Sequence, residues 1–159
     1  MEKQILSVLV ENKPGVLFKI SGLLRRKRFQ IDSLTVGKTA DETVAQFTIV
    51  ILGTLEEAQK TVGMLNRIVD VFSVEILDKD SIVREIVLAR LELDSENQRI
   101  FLQEAEQKIL VQALYQKNKE ICVELIDTSQ KIEEFLFSIK KANIKILEWI
   151  RSGVIAIKK

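Results

Sequence analysis

The first half of the chain alternates between strand and helix patterns. A mostly apolar run, typical of a strand, precedes a stretch in which apolar residues recur every three or four positions, as on one helical face. Two more strand patterns, a second helix pattern and a closing strand pattern follow. In chain order, these elements cover residues 5–10, 16–24, 29–36, 44–52, 55–68 and 69–77. The order β-α-β-β-α-β is the split βαβ, or ferredoxin-like, arrangement.

The second half repeats this order after Asp78-Lys79-Asp80-Ser81, which has the composition of a hinge. Its strand and helix patterns cover residues 83–93, 97–108, 109–116, 121–127, 129–139 and 144–150, with a short extra strand at 154–157. Leu55 and Ser129, which begin equivalent helices, are 74 residues apart, and such self-similarity indicates a structural repeat. We therefore predict an α+β protein with two tandem ferredoxin-like βαββαβ domains, residues 1–78 and 79–159.

Both faces of the predicted first sheet carry apolar residues. In the first strand Ile5 and Leu9 lie on one face, and Leu6 and Val8 lie on the other. Sheets that are apolar on both faces are usually buried on both, yet two helices cover only one. We expect the second face to be covered by the other half, by another copy or by a different subunit. The open sheet edges favour a homodimer.

Composition narrows the class of protein. Of the 159 residues 47% are apolar and 30% charged, which is typical of a soluble globular chain. The net charge of +1 does not favour nucleic acid as a partner, and no apolar run is long enough to cross a membrane. The chain starts directly with a strand pattern and has one cysteine, Cys122, so we expect a cytoplasmic location.

Catalytic chemistry has little support in the sequence. Histidine is absent, which removes the commonest general base and metal ligand, and one cysteine cannot form a thiolate zinc site. No P-loop, G-x-G-x-x-G or G-x-S-x-G motif occurs. We predict no catalytic residue and no metal site. An enzyme that uses carboxylates or lysines alone remains an alternative without positive support.

The turn between the first strand and the first helix has the pattern of a binding site. Pro14 is well tolerated where a helix begins, and Gly15 allows another backbone or a ligand to approach closely. The first amide groups of the helix carry partial positive charge and can accept a carboxylate. Two interpretations stand: Asn12 only satisfies the backbone of its own turn, or Asn12 binds a ligand whose carboxylate the Gly15 and Val16 amides hold.

The first helix ends in a cationic run, Arg25-Arg26-Lys27-Arg28. Basic residues at a helix C-terminus compensate the helix dipole, and this interpretation needs no partner. The alternative is a docking patch for an acidic partner surface.

Several stretches resemble the small, regulatory subunit of acetolactate (acetohydroxyacid) synthase. The most extensive is residues 5–17, which contains Asn12-Lys13-Pro14-Gly15. The other matching stretches are 29–36, Val69-Asp70-Val71, Arg84-Glu85 and Arg151-Ser152-Gly153. The resemblance covers nearly the whole chain, and it implies an N-terminal ACT domain followed by the ferredoxin-like C-terminal domain of that family.

The resemblance also implies a function. A chain of this kind is not an enzyme on its own and binds no cofactor. It activates a large catalytic subunit that uses thiamine diphosphate, Mg²⁺ and FAD in branched-chain amino-acid biosynthesis. Many members confer feedback inhibition by valine, which binds between paired ACT domains. The implied effector-binding residues are Asn12, Pro14, Gly15 and Val16 of one chain and Gln30 of its neighbour.

The sequence departs from the family pattern beside this site. Arg28-Phe29-Gln30-Ile31 stands where the family usually has Gly, an aromatic residue, Asn and Ile. Because Gln is one methylene longer than Asn, we expect its amide to be placed differently in a small pocket. The alternative to the synthase subunit is a stand-alone ACT-type amino-acid sensor that acts on another partner.

Overall fold

The computed structural model describes residues 2–26, 30–108 and 111–159. It contains two four-stranded antiparallel sheets, with strand orders β2-β3-β1-β4 and β6-β7-β5-β8. In chain order the elements are β1 (Lys3–Glu11), α1 (Val16–Arg26), β2 (Gln30–Lys38), β3 (Val44–Leu52), α2 (Leu55–Leu65), β4 (Val71–Leu77), β5 (Ile82–Glu92), α3 (Glu96–Lys108), β6 (Val111–Lys117), β7 (Glu120–Asp127), α4 (Ser129–Lys141) and β8 (Lys145–Ile157). The predicted tandem ferredoxin-like fold is confirmed.

The last strand differs from the pattern that the sequence indicates. The pattern places residues 144–150 in one strand and residues 154–157 in a separate short strand, with Ser152 and Gly153 between them. Instead β8 continues through both residues, and Gly153 has a φ of 81°, which glycine adopts without strain. The β6 strand begins at Val111, and residues 109 and 110 of its predicted span lie outside the described residues.

The chain forms two compact units. The first contains the chain up to Ile82 together with Val154–Lys159, and the second is Val83–Gly153. The sequence pattern places residues 154–159 in the second half, whereas the structure groups them with the first unit. We call Val154–Lys159 the C-terminal segment.

In the first unit both helices pack on one face of the sheet. Leu6, Val8 and Val10 of β1 are fully buried there, together with Ile20 of α1 and Leu65 of α2. Helix α2 begins with a capping box. The Thr54 amide donates to Glu57 Oε2 at 2.7 Å, and the Glu57 amide donates to Thr54 Oγ1 at 3.2 Å.

The opposite, helix-free face of this sheet is also partly buried. Thr48 and Val50 of β3 are only 4% and 1% exposed. The C-terminal segment meets both edges of this face, because the Val154 amide donates to Ser33 Oγ on β2 at 3.3 Å and Lys158 Nζ reaches Glu75 on β4 at 3.3 Å. Ser33 pairs with Val50, and Ser7, which pairs with Thr48, also pairs with Glu75. The last residues of the chain therefore cross the face that needed a cover.

In the second unit α3 and α4 contribute to a separate core. Phe135 of α4 is 2% exposed and stacks on Phe101 of α3 with ring centroids 6.4 Å apart. Trp149 is partly buried and packs against this core.

Candidate effector site

The turn at Asn12 is fixed to the loop between β2 and β3. The Asn12 amide donates to the carbonyl of Thr43 at 2.7 Å, and Asn12 Nδ2 donates to the carbonyl of Glu42 at 2.7 Å. Asn12 thus has a structural role, but its side chain binds a carbonyl of another loop and not an amide of its own turn. The bonds hold the turn in place and use the donor side of the Asn12 amide.

Gly15 is the open point of the turn. Its φ is 90°, and a Cβ placed on it would meet nothing within 4 Å. The backbone conformation, not crowding, therefore requires glycine here. Pro14 beside it is exposed, whereas the Val16 side chain is 2% exposed in the core, so Val16 has only its backbone amide to offer a ligand.

Helix α1 begins without a capping acid of its own. Its first turn contains no acidic residue, while α2 has Glu56 and Glu57 in that position together with the Thr54 cap. The first amide groups of any helix have no acceptor within the helix, and they favour an anion. The residues 12–16, which we call the effector turn, thus present the amide end of α1 beside an uncrowded glycine.

A buried carboxylate behind this turn was not predicted as a site residue. The Asp70 side chain is only 3% exposed, and its Oδ1 lies 2.7 Å from Lys13 Nζ in the turn. Lys19, in the first turn of α1, binds the other oxygen of Asp70. The Glu11 amide donates to the Asp70 carbonyl at 2.9 Å, and Lys13 also lies 2.6 Å from Glu11 Oε2. Asp70 therefore joins the turn, the helix and the end of β1.

These contacts keep the cluster charged. Hydrogen bonds from Lys13 and then Lys19 hold the pKa of Asp70 below its usual range despite its burial. Bonds to Asp70 and Glu11 raise the pKa of Lys13 to about 12. In the sequence, the only signal at Asp70 is its place in the Val69-Asp70-Val71 match, because no spacing rule links it to lysines more than fifty positions away.

Gln30 does not lie near the effector turn of its own chain. It begins β2 and pairs with Leu52 at one end of β3, whereas Asn12 bonds to Thr43 at the other end. At about 3.4 Å per residue, the length of β3 separates the two positions by roughly 27 Å. The structure brings Asn12, Pro14, Gly15 and Val16 together and leaves Gln30 apart. Arg28 and Phe29, which precede it, lie outside the described residues.

Two motifs noted in the sequence meet in the second unit. Arg151 forms two bonds to the buried carboxylate of Glu85, Nε to Oε1 at 2.7 Å and Nη2 to Oε2 at 2.8 Å, and its Nη1 binds Glu133 of α4. Ser129 Oγ donates to Glu85 Oε2 at 2.8 Å, and Ser152 Oγ accepts from the Ile86 amide at 3.0 Å. The Arg84-Glu85 and Arg151-Ser152-Gly153 motifs thus supply an ionic cluster that ties β8 to β5 and α4.

The described residues form no cluster typical of a metal site. Among them, no group of three or more histidine, cysteine, aspartate or glutamate side chains is arranged to hold a metal ion. Within the same described ranges, no helix has both the length and the apolar character needed to cross a membrane.

Comparison with protein families assigns this tandem ferredoxin-like chain to a class of regulatory protein. Residues 6–73 match the family model described as "AHAS small subunit-like ACT domain". Residues 84–159 match the model described as "Small subunit of acetolactate synthase". The first unit is thus similar to ACT domains, and the second to a domain of acetolactate synthase small subunits.

Individual relatives define the family. The chain is 32% identical over 156 residues to the acetolactate synthase small subunit of Haemophilus influenzae, covering 98% of this chain and 94% of that protein. It is 33% identical over 163 residues to the isozyme 3 small subunit of Escherichia coli, covering 98% and 94%. The crystal structure of the small subunit from Thermotoga maritima has the same fold, with a TM-score of 0.88 at 23% identity, covering 100% of this chain and 98% of that one.

The chain belongs to the acetolactate synthase small subunit family. This confirms the resemblance seen in the sequence. Members of the family are regulatory and not themselves catalytic, and the cofactors of the reaction belong to the catalytic subunit. The effector and the mode of assembly are separate questions.

Proposed function

We propose that this chain binds and activates the catalytic subunit of acetolactate synthase, and that a small amino acid at the effector turn modulates the activation. The main support for this site is the N-terminus of α1, which has no acidic residue in its first turn and lies beside the uncrowded Gly15. An amino-acid carboxylate is an anion of suitable size for this position. The side-chain oxygen of Asn12 is a hydrogen-bond acceptor, and in this proposal it accepts from the ammonium group of the amino acid.

The second wall of the site comes from another copy in this proposal. Strand β2 is an edge strand, and Ile31 and Val36 on it are 39% and 44% exposed. Antiparallel pairing of β2 with β2 of a second copy would bring the partner copy's Gln30 to the end of the strand where Lys38 pairs with Ala45. This is the end of the sheet that carries the effector turn. A homodimer would therefore complete two equal sites.

Regulation then follows from linkage. An effector that binds across the dimer favours the arrangement in which both walls are correctly placed. If the catalytic subunit prefers another arrangement, effector and catalytic subunit weaken one another by the same factor. The Asp70 cluster fixes the turn to the body of the unit, so a change at the turn reaches the rest of the domain.

The test is an assay of acetolactate formation by the cognate catalytic subunit, with and without this chain, during a titration with valine. We expect the chain to raise the rate and a small amino acid to reduce that increase. The Gln30→Asn variant, which restores the usual family residue, should respond to less valine with unchanged activation. Gln112→Asn is the matched control, because Gln112 is also exposed on an edge strand, β6.

Two results would contradict different parts of the proposal, the regulatory function and the effector site shared between two copies. If the wild-type chain neither binds the catalytic subunit nor changes its rate, the regulatory function itself is wrong. If it activates, but sediments as a monomer at concentrations where valine acts, the shared site is wrong and the activation stands.

A further inference from the structure

The outer face of α1 carries an apolar surface that the fold does not use. Val16, Ile20 and Leu24 point into the core, while Phe18 on the outer side is 80% exposed. Val69, in the loop before β4, is 94% exposed. Between them lies a groove of about 540 Å³, which we call the α1 groove, lined also by Leu23 and Ile68. Exposed apolar patches on soluble proteins often mark sites that bind another protein or a ligand.

Gly22 supplies an independent observation in the same groove. It lies in the middle of α1, where glycine is less favourable than alanine. A Cβ on Gly22 would meet nothing within 4 Å, so packing inside the chain does not explain the glycine. Its effect is to leave the helix backbone open to close approach from outside.

The positive charges along the groove favour a partner with acidic side chains. Lys19 and Arg25 line it, and no carboxylate does among the residues that the structure describes. Two copies that met through this surface would set like charges against each other, because a two-fold contact pairs a surface with itself. The fitting partner instead carries an apolar side chain flanked by carboxylates.

The groove is also connected to the effector turn. Lys19 lines the groove and binds Asp70, whose other oxygen lies 2.7 Å from Lys13 in the turn. Val69 of the groove is the residue directly before Asp70. One buried carboxylate therefore contacts both places, and a displacement of the turn by an effector moves a residue that lines the groove.

We propose that the α1 groove is the surface that docks a segment of the catalytic subunit, an apolar side chain with carboxylates beside it. This rests on the proposed function, since it names the part of the first unit through which activation is delivered. The exposed Phe18 and Val69 are its apolar contacts, Gly22 admits the partner backbone, and Lys19 and Arg25 pair with the carboxylates.

Two variants test this docking surface from opposite directions. Phe18→Ser removes the apolar contact, and Gly22→Leu fills the groove while improving helix propensity, so it should not lower the thermal midpoint of the chain. We expect both to need at least tenfold more chain for half-maximal activation of the catalytic subunit. Effector binding by the isolated chain, measured by calorimetry, should stay within twofold of wild type. Phe137→Ser is the control, because Phe137 is 70% exposed on α4 of the second unit.

The outcomes separate the groove from the function. Activation by Phe18→Ser and Gly22→Leu at wild-type concentrations would overturn the assignment of the groove while leaving the regulatory function intact. Equal losses in Phe18→Ser and Phe137→Ser would overturn it as well, since the effect would then not be specific to the groove. A wild-type chain that fails to activate would instead refute the proposed function.

Discussion

Replacing Arg151 with alanine should destabilise the second unit far more than the loss of an ordinary surface ion pair. Arg151 meets Glu85 through two parallel bonds at 2.7 and 2.8 Å, and the Glu85 side chain is 4% exposed. Without the guanidinium, Glu85 keeps the Ser129 hydroxyl at 2.8 Å. The variant removes two charge-assisted bonds from a buried carboxylate.

The magnitude follows from that burial. Removing one partner of a buried ion pair typically lowers the free energy of unfolding by about 3 to 5 kcal/mol. A domain is usually stable by only about 5 to 15 kcal/mol, so this is a large part of the total. The matched control is Arg90→Ala, because Arg90 lies 3.4 Å from Glu148 with both side chains 52% exposed. Such an exposed pair contributes about 0 to 1 kcal/mol.

Urea unfolding followed by circular dichroism measures both variants. With a dependence of about 1 to 3 kcal/mol per molar urea, Arg151→Ala should lower the midpoint of the second unit by at least about 1 M. Arg90→Ala should lower the urea midpoint by only a few tenths of the shift seen with Arg151→Ala. Equal shifts for the two variants would refute the reasoning, because burial of Glu85 would then make no difference.

Two further predictions concern the first unit. Gly53→Ala would put a Cβ 2.5 Å from Glu57 Oε2 and displace a bond of the capping box. We expect it to lower the free energy of unfolding, measured in urea, by about 0.5 to 2 kcal/mol. Gly63→Ala is the control and should not destabilise the chain, because a Cβ there would meet open space. The pKa of Asp70 is lowered in the folded chain. Its ion pairs therefore contribute fully to the free energy of unfolding above the unfolded-state pKa of about 3.9, and the contribution is lost as the pH falls through the lower folded-state pKa. Urea midpoints of Asp70→Asn should therefore fall less steeply than wild type below about pH 4.

The elements and their order could be predicted because their signals are local. Period-two and period-3.6 patterns, the Thr54–Glu57 capping box and the Pro14-Gly15 turn each lie within a few residues of sequence. The turn at residues 12–16 could be predicted for the same reason, since it depends on one proline, one glycine and the start of a helix.

The features that were missed join distant parts of the chain. Asp70 binds lysines at positions 13 and 19, and Arg151 binds a glutamate 66 residues earlier. Nothing in the local spacing indicates which lysine or glutamate will be the partner. The C-terminal segment shows the same limit: the apolar run Val154-Ile155-Ala156-Ile157 predicts a short strand, but not the sheet that it crosses.

The two proposed surfaces of the first unit make different demands on assembly. The α1 groove is complete within one chain, because all of its lining residues come from α1 and from the loop before β4. The effector site is divided, since Gln30 lies roughly 27 Å from the effector turn of its own chain at about 3.4 Å per residue. In the proposed arrangement, activation needs one copy at the catalytic subunit, whereas effector sensitivity needs two. Asp70 contacts both Lys13 in the effector turn and Lys19 in the groove, so the two proposed surfaces share one buried carboxylate.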